Sequence, residues 1–180
     1  MDTNTPLIFS DGTVFSEELS KKYISHTQGY LSLAPSGAGK TYFVNNQTEN
    51  HWIDGDTLWP LANADKTDSG WVSSNELVME INNKCDVITH EARKLGFWVL
   101  GSSNHFLKPD AIVLPDWDIH KEYVAKREEY NYDGGAKNSD LDELQAHRAW
   151  IKKWEDQGVP CFDSISAAAE YLANKSRNVG

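Results

Sequence analysis

Short apolar runs alternate with helical patterns along most of the chain. Five of these runs predict buried strands, at residues 30–33, 51–53, 97–100, 111–114 and 159–162. Residues with helical spacing predict a helix that opens at 41–46 and further helices at 74–95, 118–130, 140–154 and 164–174. Because strands that alternate with helices pack as a parallel sheet covered on both faces, the pattern predicts an α/β fold.

Capping residues mark several of the predicted helix boundaries. Ser74 is a good N-cap, and Gly96 is a good stop for the helix between them. Asp118 can cap the next helix, and Asp140 with Glu143 forms a capping-box-like start for the helix after that. The boundaries therefore follow from local chemistry as well as from apolar spacing.

The chain has the length and apolar content of one domain. Its 180 residues are 39% hydrophobic, which is enough for one sizeable core, and we predict a single domain over 1–180. Two apolar runs flank Asp11–Gly12, which predicts a β-hairpin at 7–15 as an appendage within residues 1–26.

Charge and cysteine content restrict the partners. The net charge of -10 disfavours nucleic acid unless a local basic groove exists. Cys85 and Cys161 are too few for a disulfide framework, and we expect both thiols to be buried. The chain has no leader-like or membrane-spanning apolar segment, so we expect a soluble, cytoplasmic protein without membrane contact. The oligomeric state stays open.

Residues 34–41, with the sequence APSGAGKT, match the phosphate-binding pattern [Gly or Ala]-x-x-x-x-Gly-Lys-[Ser or Thr], also called Walker A. Gly37 and Gly39 allow a tight turn whose amides point at phosphate oxygens, and the following helix adds the positive end of its dipole. We expect Lys40 to be exposed and to reach the β- and γ-phosphates, and the Thr41 hydroxyl to hold Mg²⁺. The predicted nucleotide-binding residues are Ser36, Gly37, Ala38, Gly39, Lys40, Thr41 and Tyr42.

This loop, together with Asp54-Gly55-Asp56 after the second predicted strand, resembles small P-loop kinases. The loop is similar to that of guanylate and gluconate kinases, and the Asp-Gly-Asp is similar to that of gluconate and adenylylsulfate kinases. The resemblance implies a three-layer P-loop NTPase fold with a five-stranded parallel sheet in adenylate-kinase-like order. It also implies ATP and Mg²⁺ as cofactors, a lid that carries an arginine after the fourth strand, and transfer of the γ-phosphate to an acceptor hydroxyl.

The chemistry of phosphoryl transfer gives these residues separate roles. An acidic group is needed near Mg²⁺ and another near the acceptor oxygen, so we assign Asp54 to Mg²⁺ or its waters and Asp56 to the acceptor hydroxyl. The lid candidate is the stretch 118–139, in which Arg127 is the first choice for stabilising the transferred phosphoryl group. Arg148 is the alternative.

Several alternatives remain open. The string Asn83-Lys84-Cys85-Asp86 spells a guanine-reading motif but falls inside a predicted helix, which argues against a GTPase. No apolar strand ends in the acidic pair of a remodelling ATPase, although a non-kinase ATPase or a nucleotide-dependent binding module stays an alternative. The scattered histidines His90, His105 and His120 predict no zinc site.

The acceptor is the least determined feature. Residues 42–92 contain no arginine, whereas nucleoside monophosphate kinases clamp the acceptor phosphate with arginines in this region. We therefore expect a hydroxyl acceptor without a clamped phosphate, such as a sugar, a nucleoside, or a hydroxymethylated pyrimidine in DNA, the substrate of phage-type DNA kinases that the chain resembles in outline. A nucleoside monophosphate acceptor is the alternative, and the sequence does not choose between ATP and GTP. Three tryptophans cluster around the presumed acceptor side: Trp52, Trp59 and Trp71. We expect most of them to be core, with one available to stack on an acceptor ring.

Overall fold

Five parallel strands form the larger sheet of the part of the chain that the structure describes. The structure is a computed structural model that describes residues 7–8, 14–15, 29–47, 52–55, 85–90, 92–93, 96–101, 107–130 and 136–179. Two short strands at the N-terminus, β1 (Leu7–Ile8) and β2 (Val14–Phe15), pair antiparallel, as the hairpin prediction requires. The sheet strands are β3 (Leu31–Leu33), β4 (Trp52–Asp54), β5 (Trp98–Gly101), β6 (Ala111–Val113) and β7 (Cys161–Phe162).

The sheet order is β4-β5-β3-β6-β7, and every neighbouring pair in it is parallel. The strand that precedes the glycine loop, β3, therefore lies at the centre with two strands on each side. Ligands of open parallel sheets bind beyond the carboxyl ends of the strands, so this order places the loop in the middle of the ligand-binding edge.

Four helices have both ends among the described residues: α1 (Lys40–Asn45), α2 (Trp117–Glu129), α3 (Leu141–Lys152) and α4 (Ile165–Val179). Residues 85–90 and 92–93 are also helical and fall inside the helix predicted at 74–95. The predicted strands and helices at the described positions are thus present, with ends that differ by a few residues.

Alternating residues of the strands point into two separate cores. On one face, the strands pack against α4 through Leu100, Val113, Ala168 and Leu172.

On the other face, the strands pack against α3 and the helical residues before Gly96. The residues in contact there are Leu31, Leu33, Val99, Ile112, Ile151 and Ala92. The two-residue period of a strand therefore covers both faces of the sheet with helices.

Capping residues behave as predicted at one boundary and differ at two. Gly96 has φ +91°, and the hydrogen bonds Gly96 N to Arg93 O and Phe97 N to Ala92 O form a Schellman stop. Asp118 does not cap α2, because Asp116 is the N-cap and accepts the Asp118 amide at 3.0 Å. Asp140 does not cap α3 through its side chain either.

The Asp140 carboxylate accepts the Lys137 amide at 2.9 Å instead, and a 3-10 turn over Asn138–Asp140 precedes α3. The predicted capping box is therefore absent at α3, because the Asp140 carboxylate is hydrogen-bonded to this turn. Of the two cysteines, Cys85 is buried as expected, but the prediction for Cys161 is wrong, since it is exposed on β7. None of the helical residues that the structure describes forms a segment long and apolar enough to cross a membrane.

Candidate functional site

The glycine loop leaves the end of β3 and closes at the start of α1. Gly37 and Gly39 both have left-handed backbone angles, with φ +79° and +96°. Residues with a Cβ rarely adopt this conformation, so the two glycines fix the turn. The Ala34 amide donates to the Gly101 carbonyl at 2.8 Å, which ties the beginning of the loop to the end of β5.

Lys40 lies inside this loop and is not exposed, so the expectation of an exposed lysine is wrong. Only 9% of the residue is accessible, and its Nζ donates to the carbonyls of Ala34 at 3.0 Å and Pro35 at 2.9 Å. An ammonium group has three hydrogens and needs acceptors when it is buried, and the loop carbonyls supply two. The charge therefore sits within the turn that the motif assigns to phosphate.

Thr41 and Asp54 meet at the carboxyl ends of the strands. The Thr41 hydroxyl donates to Asp54 Oδ2 at 2.8 Å, although the two residues come from different elements. The approach of β4 to β5 needs glycines, because a Cβ on Gly55 would lie 2.9 Å from Gly101 Cα. A hydroxyl and a carboxylate are hard oxygen donors of the kind that suits Mg²⁺, so the pair fits that ion.

Helix α2 packs directly on the loop. A Cβ on Gly37 would lie 2.8 Å from Val124 Cγ2, 3.6 Å from His120 Nε2 and 3.6 Å from Arg127 Nη1. The residues 120, 124 and 127 are spaced to share one helix face, which is the face turned to the loop. The predicted arginine of the lid region, Arg127, is thereby placed beside the glycine turn.

Ser36 is held from two directions. Its carbonyl lies 2.8 Å from His120 Nε2, and its hydroxyl accepts the Ala136 amide at 2.8 Å. His120 is fully buried, and its Nδ1 lies 2.8 Å from Arg148 Nη1. The Arg148 guanidinium also lies over the Trp117 ring, 5.4 Å from its centroid. A chain of contacts therefore runs from the loop through α2 to α3.

The remaining predicted residues divide into those that the structure places and those outside its described part. Ala38 is buried in the loop, where its amide donates to the Pro35 carbonyl at 3.2 Å. Tyr42 is 77% exposed on the first turn of α1. Asp56 lies outside the described residues, so its assignment to the acceptor stays a prediction.

One of the aromatic expectations has a structural outcome. Trp52 is core: it is 8% exposed and makes edge contacts with Phe43 and Trp98. Trp59 and Trp71 lie outside the described residues. Within the described part of the chain, no three His, Cys, Asp or Glu side chains group into a metal site.

His120 is the site residue that sequence reasoning missed. A lone histidine in a helix carries little information, and its contacts with Ser36 and Arg148 span 84 and 28 residues. The available signal was its position one and two turns before Val124 and Arg127, which puts all three on one face.

Comparison with protein-family models, with curated proteins and with solved structures gave no match to this chain. The candidate site is therefore interpreted from its own geometry.

Proposed function

We propose that the protein is a P-loop kinase that transfers the γ-phosphate of Mg–ATP to an acceptor hydroxyl. The observation that carries the proposal is the convergence of a glycine turn, an enclosed lysine and a threonine–carboxylate pair at one edge of a parallel sheet. The motif alone is a sequence pattern. Its placement directly after the central strand is the structural context that the pattern requires.

The strand order supports the same class. Counted from the loop strand, the order is second, third, first, fourth, fifth, which we interpret as the adenylate-kinase-like order of a P-loop NTPase fold. The strand β5 carries no carboxylate over Trp98–Gly101, so Asp54 of β4 is the acidic partner that we assign to the Thr41 hydroxyl. This favours a kinase over a remodelling ATPase, which needs an acidic pair after a hydrophobic strand.

In the proposed reaction each residue has one task. The loop amides and Lys40 bind the phosphates, and Thr41 with Asp54 would hold Mg²⁺, which neutralises charge on the phosphate oxygens when it is bound. Lys40 would exchange its two carbonyl contacts for phosphate oxygens, which are stronger, charged acceptors. Arg127, beside Gly37, would stabilise charge on the transferred group, and Asp56 would orient the acceptor hydroxyl or take its proton.

Label transfer from γ-labelled ATP tests the proposal. The acceptor panel contains sugars, nucleosides, nucleoside monophosphates and DNA with hydroxymethylated pyrimidines, each assayed with and without Mg²⁺. We expect Mg²⁺-dependent labelling of a hydroxyl acceptor. Hydrolysis of ATP with no labelled acceptor in the panel would instead support the non-kinase ATPase.

The assignment of Asp54 to the Mg²⁺ site is tested separately, with a variant of that residue. Asp54→Asn keeps the size of the side chain and an acceptor for Thr41 but removes the charge, so we expect the Mg²⁺ concentration for half-maximal activity to rise by about tenfold or more. Asp156→Asn, on an exposed turn, is the matched control. An unchanged Mg²⁺ requirement in Asp54→Asn would remove Asp54 from the metal site.

A further inference from the structure

The contacts of His120 determine its protonation state. The Ser36 carbonyl beside Nε2 can only accept a hydrogen bond, and the Arg148 guanidinium beside Nδ1 can only donate one. The ring must therefore carry its hydrogen on Nε2 and keep Nδ1 as an acceptor. Burial lowers the pKa of His120, the Ser36 contact opposes this, and the positive charges of Arg148 and Lys40 lower it further. The neutral ring is thus favoured by geometry and by environment.

The contact with Ser36 acts on the next residue. The peptide group between Ser36 and Gly37 is planar and trans, so its carbonyl and its N–H point in opposite directions. Because His120 holds the carbonyl toward α2, the Gly37 amide points away from α2. In a phosphate loop, the direction of such an amide decides whether it can bind an oxygen.

The contact with Arg148 acts on a second group. Arg148 comes from α3, and its side chain is only partly buried. An arginine side chain loses much rotamer freedom when it is held, and fixed partners reduce that cost at the moment of binding. Among the described residues, the Arg148 guanidinium contacts His120 Nδ1 and the face of Trp117. Together they fix the guanidinium against α2, behind the His120 ring that contacts the loop.

We propose that His120 is a positioning residue of the phosphate site, which sets the Gly37 amide through Ser36 and holds Arg148 through its other ring nitrogen. The effect of His120 on catalysis rests on the proposed kinase function, because His120 acts through the Gly37 amide and Arg148 and does not itself touch the substrate. Each ring nitrogen of His120 thus has a separate action, and two substitutions of His120 distinguish the two actions.

Glutamine and asparagine at position 120 would each keep the hydrogen-bonding function of one ring nitrogen and lose that of the other. The Gln amide nitrogen reaches about as far as Nε2 and can donate to Ser36, but it offers Arg148 no acceptor at Nδ1. The Asn amide oxygen lies near Nδ1 and can accept from Arg148, but the shorter side chain does not reach Ser36. Arg148→Met removes the charge and keeps the length. His147→Gln, on α3 against Trp150, is the matched control.

Affinity for Mg–ATP and the kinetic constants are measured on the full chain. We expect His120→Asn to weaken Mg–ATP binding about tenfold, the loss that one hydrogen bond of about 1.4 kcal/mol gives. We expect His120→Gln to bind Mg–ATP within about threefold of wild type but to lower kcat as much as Arg148→Met does. The double variant should then be no slower than either single variant, since both remove the same contact.

Nitrogen NMR of histidine-labelled protein adds a readout that does not depend on activity. Among the six histidines, we expect the ring signal that His120→Gln removes to be one with a protonated Nε2 and a bare Nδ1. Thermal unfolding is followed for every variant. If His120→Asn does not fold, the comparison of kcat between His120→Gln and Arg148→Met still tests whether His120 holds Arg148. Wild-type affinity in a folded Asn variant, or a proton on Nδ1, would overturn the inference.

The outcomes also separate this inference from the kinase proposal. A wild-type protein that binds Mg–ATP but labels no acceptor contradicts the kinase, while the affinities of the Asn and Gln variants still decide the role of His120. A wild-type protein that does not bind Mg–ATP overturns both.

Discussion

At the scale of single residues, Lys40 differs most from expectation. The motif predicts that the lysine reaches the phosphates, and a side chain with that role was expected to project from the loop. An ammonium group that is buried in the loop needs hydrogen-bond acceptors, and the carbonyls of Ala34 and Pro35 provide two of them. The sequence could predict that Lys40 belongs to the site, but its burial depends on how the loop folds around it.

Removal of the Lys40 charge should stop transfer and leave the fold intact. Lys40→Met keeps most of the apolar stem, and the loop carbonyls that it releases lie at the ligand-binding edge of the sheet. We expect kcat/KM to fall by at least about 100-fold, with the thermal unfolding midpoint within a few degrees of wild type. Circular dichroism and label transfer are measured on the same sample, with Lys153→Met, an exposed lysine, as the control. Turnover within a factor of a few of wild type would remove the P-loop assignment.

The lowered pKa of His120 predicts how the free energy of unfolding changes with pH. Its pKa is lowered in the folded protein, chiefly by burial, so the unfolded chain takes up the proton first as the pH falls. The contribution of the neutral ring is complete above the ordinary histidine pKa of about 6.5 and is lost as the pH falls through the folded value. The positive charges of Arg148 and Lys40 act on the ring in the same direction as burial, since each disfavours its protonation.

Urea unfolding of wild type and His120→Gln between about pH 5 and pH 8 measures this effect. The free energy of unfolding of wild type should fall relative to the Gln variant below about pH 6.5, by at most about 1.4 kcal/mol per pH unit. Parallel curves would mean that His120 is not buried as a neutral ring.

At the scale of elements, predictability depends on whether the signal is local. The stop of the helix before β5 was predictable because Gly96 needs only its own turn. The cap of α2 was misassigned by two residues, since Asp116 and Asp118 offer the same chemistry and only the position of the preceding strand decides between them. The packing of α2 on the loop depends on contacts far apart in sequence, which no local pattern contains.

The two loop glycines provide a test of that packing. Both have positive φ, but a Cβ on Gly37 would lie 2.8 Å from Val124, whereas a Cβ on Gly39 meets nothing within 4 Å. Gly39→Ala therefore adds backbone strain alone, of about 1–3 kcal/mol, and Gly37→Ala adds the clash with α2 to a similar strain.

We expect Gly37→Ala to be the less stable variant and to bind Mg–ATP more weakly than Gly39→Ala. Addition of Val124→Ala should recover part of the Gly37→Ala loss and none of the Gly39→Ala loss, which a double-mutant cycle on unfolding free energies measures. Equal recovery in both backgrounds would show that α2 does not press on the loop at Gly37.

At the scale of the whole molecule, the class of the sheet was predictable and its site only in part. Apolar runs and helical spacing predict five strands and a parallel sheet, because each element carries its own period. The meeting of Thr41 with Asp54 was predictable as well, since Asp54 ends one strand of that sheet and Thr41 follows the loop after another. The Arg93–Asp110 ion pair was not: Arg93 Nη2 lies 3.3 Å from Asp110 Oδ2, with Arg93 buried and Asp110 partly exposed. The Asp110 carboxylate also accepts the Leu31 amide at the amino end of β3.

That ion pair bears on the acceptor, the last prediction. Residues 42–92 have no arginine, and the first one, Arg93, is 1% exposed and pairs with Asp110 at the edge of the sheet opposite the loop. Arg93 is therefore held at the amino ends of the strands, away from the loop, and residues 42–92 themselves contain only Lys66 and Lys84 as Lys or Arg. Since a lysine does not replace the two-oxygen clamp of a guanidinium, we expect a nucleoside or sugar hydroxyl, or a hydroxymethylated base, to be a better acceptor than any nucleoside monophosphate. Matched nucleoside and monophosphate pairs are compared by kcat/KM in the label-transfer assay, with Lys40→Met as the background. A monophosphate that is phosphorylated at least as efficiently as its nucleoside would show that cations outside this stretch clamp the acceptor.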